Sequence, residues 1–148
     1  DAHKLKKWGE KENNPGRGWV MVNSGALSSD AITKAMLRGD FYSSSGVILE
    51  ELVRSTNSIE LSVDEDETAC ELASAFLFGR PVKKGDSGTI IEFIGSEGEV
   101  VKTIQGTSAK CEAEGAYLRA KVTHRVEKED GSLVEYYAWT QPVFTDDR

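Results

Sequence analysis

The residue types best suited to hydrolytic chemistry stand at the start of the chain, where Asp1 and His3 flank Ala2. A carboxylate and an imidazole are common ligands of divalent metals in hydrolases, where the metal lowers the pKa of a bound water and neutralises developing negative charge. Two ligands do not complete such a site, and the chain has only one other histidine, His124. The pair therefore predicts part of a metal site if further ligands come from elsewhere. If they do not, Asp1 and His3 are expected to be two surface residues.

The same terminus offers a second metal chemistry. If Asp1 carries a free amine, the amine, two deprotonated amides and the ring of His3 can surround Cu(II) or Ni(II), which prefer tetragonal nitrogen sites. Adding a residue before Asp1 would abolish such a site, so this alternative depends on where the natural protein begins.

The segment from 118 to 125 holds two further candidates. Strand alternation places His124 on the face of the apolar residues Leu118, Ala120 and Val122, which favours a packed or rim histidine over a ligand. Arg119 faces the other way and is the better polar candidate. It could reach the serines at 43 to 45 or a buried carboxylate, with an ordinary ion pair as the alternative.

Other polar residues are weaker candidates for a catalytic or metal-binding site. Glu50 and Glu51 are adjacent in a predicted strand and would point to opposite faces, which disfavours a shared catalytic site. The acidic run 64–67 lacks the ligand spacing of an EF-hand and is read as an acidic turn. Cys70 and Cys111 lack C-x-x-C spacing, so zinc or thioredoxin chemistry is disfavoured, while a disulfide and two reduced cysteines both stay open.

The composition bounds the class of protein. The chain has 148 residues, of which 39% are hydrophobic and 29% charged, and its net charge is −7. This charge argues against a nucleic-acid partner, which would need clustered Lys and Arg. Because no apolar run approaches the 18 or more residues of a membrane span, we expect a soluble domain, cytoplasmic or exported.

Short elements position these candidates. Trp19–Val22 predicts a buried strand, and a helix should follow, capped by Ser28, Ser29 or Asp30 and ended by Gly39. The serines 43 to 45 and Gly46 then form a polar segment that can expose hydroxyls and backbone amides.

The remainder predicts mostly antiparallel β structure. Strands are expected at 47–54 and 59–63, a short helix at 68–78, a basic loop at 80–86, and strands at 89–94, 99–104, 108–113, 116–126 and 133–140. Repeated short strands with turn signals indicate a β-sandwich-like module.

The pattern S-x-A-I-x-x-A-x-x-x-G-x-F-Y-x-S-x-G, which starts at Ser29 and ends at Gly46, resembles the C-terminal part of PHP-type (polymerase and histidinol phosphatase) metal-dependent phosphohydrolases. In that family this block follows a D-x-H motif, which stands here as Asp1-Ala2-His3. The likeness continues through Tyr117-Leu118-Arg119-Ala120 to the closing segment Ala138–Phe144.

The resemblance implies an α+β, mostly β fold, with residues 1–46 as a strand-helix remnant of a PHP barrel and 47–148 as the β-sandwich-like module. It also implies a divalent metal centre of Mn, Fe or Zn with Asp1 and His3 as late ligands, and a small phosphoester as substrate. Substrate contacts are expected from Ser43, Ser44, Ser45 and Arg119. Because the other ligands would precede residue 1, this chain alone should be inactive, and it is expected to dimerise to cover its apolar first strand. The alternative is a noncatalytic β-rich binding or interaction module.

Overall fold

In a computed structural model of the chain, the described residues are 7, 9, 12, 14–73 and 78–145. Asp1 and His3 lie outside them, as does the part of the predicted 68–78 helix from 74 to 77. The described chain forms β1 (Trp19–Val22), α1 (Ser29–Leu37), β2 (Phe41–Ser44), β3 (Leu49–Arg54), β4 (Ser58–Val63), α2 (Glu65–Leu72), β5 (Arg80–Val82), β6 (Gly88–Ile94), β7 (Val100–Gln105), β8 (Ser108–Glu112), β9 (Tyr117–Glu127), β10 (Leu133–Thr140) and β11 (Val143–Phe144).

The strands make two antiparallel sheets that do not close into a barrel. The large sheet runs β1-β2-β10-β9-β6-β7, with β5 paired to β10 and β11 paired to β9, while the small sheet runs β3-β4-β8. The prediction of a mostly β, sandwich-like fold with two short helices is therefore confirmed.

The two sheets share one hydrophobic core. The small sheet contributes Ile59 and Leu61, and the large sheet contributes Ile91, Phe93 and Val122, all at most 1% exposed. Alternation explains this, because along β10 every second side chain is buried and the others face outward. Tyr42 of β2 belongs to the same core, so residues on both sides of the predicted 46/47 division pack together.

Helix α1 begins and ends as the local sequence predicts. Ser28 is the N-cap and accepts a hydrogen bond from the backbone N–H of Ala31. At the other end Gly39 adopts a φ of 76° and donates to the carbonyl of Met36, while Asp40 donates to that of Ala35. These two bonds make a Schellman motif, in which glycine supplies the left-handed residue.

Three expectations about elements are wrong. Strand β1 is not buried, because it is the last strand of the large sheet, and Val20 and Met21 are 45% and 41% exposed. The residues expected to form a basic loop at 80–86 include β5, which pairs with β10. Helix α2 begins at Glu65, with Asp64 as its N-cap, and not at Thr68 as predicted. The acidic run 64–67 is therefore the cap and first turn of this helix, not a separate turn before it.

In the part of the chain that the structure describes, neither helix is long and apolar enough to cross a membrane.

Candidate functional site

The face of the large sheet opposite the shared core brings two predicted site residues, Ser43 and Arg119, to Trp139. On that face Trp139 of β10 stands between Ser43 of β2 and Lys121 of β9, its two direct cross-strand neighbours. The guanidinium carbon of Arg119 lies 4.7 Å from the centre of the Trp139 ring. We call Ser43, Arg119, Lys121, Tyr137 and Trp139 the Trp139 cluster.

Cation–π contacts hold the basic side chains of this cluster in place. The Lys121 ammonium lies 5.6 Å from the centre of the Trp139 ring and 5.7 Å from that of Tyr137. It also donates to Glu92 at 2.7 Å. Such contacts stabilise by about 0.5–1 kcal/mol at exposed sites and more where water is excluded, so the aromatic rings fix where the positive charge sits.

A carboxylate network borders the cluster. Glu135 accepts hydrogen bonds from Arg125 at 3.1 Å and from the Tyr137 hydroxyl at 2.6 Å. Burial opposes ionisation of Glu135, but these bonds and the charges of Arg125 and Lys121 outweigh it and lower the pKa of the carboxyl. Burial and the bond to Glu135 raise the pKa of Tyr137, so its hydroxyl keeps its proton and acts as a donor.

The charge of this face contrasts with that of the whole chain. This face carries four basic residues, Arg119, Lys121 and Arg125 of β9 and Arg80 opposite Glu135, against the three carboxylates of Glu92, Glu127 and Glu135. The local balance is thus positive although the chain carries a net charge of −7. A positive surface on an acidic protein favours an anionic ligand at that surface.

Two polar atoms on this face lack partners. Among the described residues, Nε of Arg119 and Oγ1 of Thr123 are buried and have no hydrogen-bond partner. Thr123 is only 5% exposed and lies between Ile90 and Tyr137 in the sheet. Native proteins satisfy most buried polar atoms, so these two are unusual, but both are shielded from solvent and neither is available at the surface of this face.

The structure separates the three predicted serines. Ser44 is buried, and its hydroxyl donates to the carbonyl of Val47 at 2.7 Å and accepts from the N–H of Gly46 at 2.9 Å. The hydroxyl of Ser45 accepts from the N–H of Tyr137 at 2.9 Å. Both hydroxyls thus hold the turn that leads from β2 into β3, whereas Ser43 lies beside Trp139.

The histidine inside the described chain is held by the protein itself. Nδ1 of His124 lies 2.9 Å from Oγ1 of Thr89. Burial lowers the pKa of His124, with the nearby charge of Glu65 acting against it. Together with Asp86 and Arg125 these residues line a cavity of about 330 Å³. His124 is partly exposed at the edge of this cavity, an environment that fits the packed or rim histidine that the strand alternation favours.

Metal ligands are not gathered within the described residues, where no group of three or more His, Cys, Asp or Glu side chains could hold a metal ion. Cys70 and Cys111 are both free. Glu50 accepts a hydrogen bond from Ser62 across the small sheet, in keeping with a solvated strand residue. The predicted ligands Asp1 and His3 lie outside the described residues, so that prediction stays open.

Reasoning from the sequence missed Trp139, Tyr137 and Lys121. The alternation along Leu133–Thr140 places Tyr137 and Trp139 on one face, and this is the sequence signal from which the two aromatic residues could have been identified. Lys121 is brought to Trp139 by the β9–β10 hairpin, whereas Ser43 is brought there by the pairing of β10 with β2, which lies far from β10 in sequence.

Comparisons with protein-family models, with curated proteins and with solved structures found no match to this chain.

Proposed function

We propose that this chain is the C-terminal part of a PHP-like metal-dependent phosphoesterase. In the complete enzyme Asp1 and His3 are late ligands of a divalent metal centre that activates water for attack on phosphorus. The sequence pattern from Ser29 to Gly46 supports this proposal. The structural observation that carries it is the convergence of Ser43 and Arg119, two candidate substrate contacts, on Trp139.

Arg119 is the residue best suited to contact a phosphoester. It makes no ion pair with the described residues, whereas Lys121 is paired with Glu92 and Arg125 with Glu135. The contact with the Trp139 ring holds the guanidinium in position, while its Nε is buried and shielded from solvent. A guanidinium that makes no ion pair with the described residues can donate hydrogen bonds from its terminal nitrogens to a phosphate group.

The exposed apolar residues support attachment of this chain to a larger body. Among the described residues, five of the nine large hydrophobic side chains that are exposed lie between 20 and 37. They come from β1, α1 and the loop between them: Val20, Met21, Leu27, Met36 and Leu37. Concentration of exposed apolar surface in one segment is typical of an interface, and this segment is the proposed barrel remnant.

A second candidate function is a noncatalytic binding module for an acidic partner. The Trp139 cluster favours it, because Trp, Tyr and Arg are the residue types enriched at protein interfaces. In this alternative Asp1 and His3 carry no metal.

The deciding experiment compares this chain with the same chain extended upstream to its natural start. We expect elemental analysis to find stoichiometric Mn, Fe or Zn, and an assay with p-nitrophenyl phosphoesters to find hydrolysis, in the extended protein only. His3→Asn in the extended protein should lower the metal content and abolish hydrolysis. If the extended protein holds no metal and hydrolyses no phosphoester, the phosphoesterase proposal fails and the binding module replaces it.

A variant of Arg119 tests the Trp139 cluster separately. In the active extended protein, Arg119→Gln should raise KM by about tenfold or more, since a hydrogen bond to a charged group contributes about 1.5–3 kcal/mol. The matched control is Arg38→Gln, which removes an exposed arginine at the end of α1 that is paired with Asp40. Equal kinetic constants for the two variants would show that the cluster does not contact the substrate.

A further inference from the structure

A cleft of about 580 Å³ opens between the two sheets on the side of α1. Its apolar walls come from Met21 and Tyr42 of the large sheet and from Leu49, Leu52 and Val53 of the small sheet. Met21 and Val53 are 41% and 44% exposed, so part of this apolar lining reaches solvent. The volume lies within the range of natural binding sites, about 300–1,000 Å³.

The cleft follows the edge of a strand. Strand β3 is the outermost strand of the small sheet, and all but one of its residues, Glu51, line the cleft. Because successive side chains of a strand point to opposite faces, a cavity lined by consecutive residues wraps around the strand edge rather than lying on one face. Within the described chain, the outward backbone groups of β3 have no strand partner.

The walls of the cleft are fixed by hydrogen bonds. The Tyr42 hydroxyl accepts from the N–H of Leu49 at 3.0 Å, which ties the large sheet to the small one. At the far end Arg54 donates to Asp40 at 3.2 Å and to the carbonyl of Pro142 at 3.2 Å. The cleft is therefore preformed, and an occupant would meet little cost in ordering it.

The charges at the rim indicate what the cleft accepts. Asp40 is paired with both Arg38 and Arg54, which leaves one positive charge in excess at that end of the cleft, against the two negative charges of Glu50 and Glu51. A bulge between Leu49 and Glu51 places both Glu50 and Glu51 beside Ser62, on the face of β3 away from the shared core, and not on opposite faces as regular alternation predicts. Both carboxylates are exposed and make no ion pair with the described residues. The remaining charge along the strand edge is thus negative, which favours a cationic occupant.

We propose that this cleft binds an extended segment of another polypeptide, added as a strand along β3, with apolar side chains directed into the cleft and basic side chains facing Glu50 and Glu51. Strand addition satisfies the backbone of the edge, and alternate side chains of the added strand fill the cleft. The six residues of β3 span about 20 Å at about 3.3 Å per residue, so a segment of six or seven residues matches it.

A second copy of this chain fits the cleft less well. Its outermost strands offer few cations, since β1 holds none, β7 holds Lys102 alone, and Lys110 of β8 is already paired with Glu60. Pairing of two copies here would leave at least one of Glu50 and Glu51 without a cation, and it would bring together two chains that each carry a net charge of −7.

The test uses a synthetic peptide of alternating valine and lysine, seven residues long and capped at both ends. We expect amide shifts in NMR spectra confined to β3 and the cleft walls, and slower hydrogen exchange of the outward amides of β3. A peptide with glutamate in place of lysine should bind at least about tenfold more weakly. Shifts spread over the edges of β7 or β8 instead, or equal affinity for the two peptides, would overturn the proposal.

Matched variants locate the site on the protein. The double change Glu50→Lys and Glu51→Lys should weaken binding of the lysine peptide by about tenfold and favour the glutamate peptide. The control, Glu129→Lys with Asp130→Lys in the exposed β9–β10 turn, alters the net charge equally and should leave the affinity unchanged. If both double variants weaken binding alike, the attraction is nonspecific. If light scattering shows a dimer whose formation excludes the peptide, the occupant is a second copy. Either result refutes the proposal.

Discussion

The glycine that closes the Ser43–Gly46 segment should be required by the fold itself. Gly46 has a φ of +143°, a conformation that residues with a side chain rarely adopt. A Cβ placed there would lie 2.5 Å from Cδ2 of Leu72 and 3.0 Å from Cδ1 of Tyr136. Leu72 can turn its side chain away, but Tyr136 is 4% exposed within the core and has little freedom to move.

The cost of Gly46→Ala can be worked out from these two effects. The unfavourable backbone conformation costs about 1–3 kcal/mol. Overpacking against Leu72 and Tyr136 adds about 1–3 kcal/mol. We therefore expect the free energy of unfolding to fall by about 2–6 kcal/mol, a large share of the roughly 5–15 kcal/mol typical of a domain.

Urea unfolding followed by tryptophan fluorescence measures this loss as a lower midpoint at an unchanged slope. The control is Gly131→Ala, since Gly131 has a φ of +76° but no atom lies within 4 Å of the added Cβ. That variant should lose only about 1–2 kcal/mol, the cost of the left-handed backbone. A loss for Gly46→Ala no greater than that for Gly131→Ala would refute the reasoning.

A double variant separates the two effects further. In the Gly46→Ala protein, Leu72→Ala removes one of the clashing atoms, so it should cost less than it does in the parent protein. If Leu72→Ala costs the same in both backgrounds, the Leu72 contact contributes nothing to the loss, which then comes from the backbone and Tyr136.

Two further predictions concern pH and one concerns a helix end. The pKa of Glu135 is lowered from 4.5 in the folded state, so its ionised form stabilises the fold above that pH, and the stabilisation is lost as the pH falls through the lowered pKa. In Glu135→Gln, the free energy of unfolding measured with urea should therefore fall less between neutral and acid pH than it does in the parent protein. The pKa of His124 is lowered from 6.5, so stability should begin to fall as the pH drops below 6.5, and a His124→Gln variant should lack that step. Ser28→Ala removes the N-cap of α1 and should cost about 1 kcal/mol, whereas Ser29→Ala, inside the helix, should cost less in the same measurement.

The sequence by itself determined the elements that depend on nearby residues. The cap at Ser28 and the stop at Gly39 follow from hydrogen bonds within a few residues. The hairpins β3–β4, β6–β7 and β9–β10 follow from short turns between alternating segments. In each case the residues that interact are close in sequence, so the pattern contains both partners.

Only the tertiary structure decided which strands became edges and which side chains met. Strand β5 holds Pro81 and basic neighbours, and it is a strand because β10 offers it a partner. The exposure of β1 follows from its place at the end of the sheet order. The convergence of Ser43 and Arg119 on Trp139 depends on pairing between β2 and β10, nearly a hundred residues apart. Such pairings are set by how the whole chain buries its apolar surface, which no local pattern specifies.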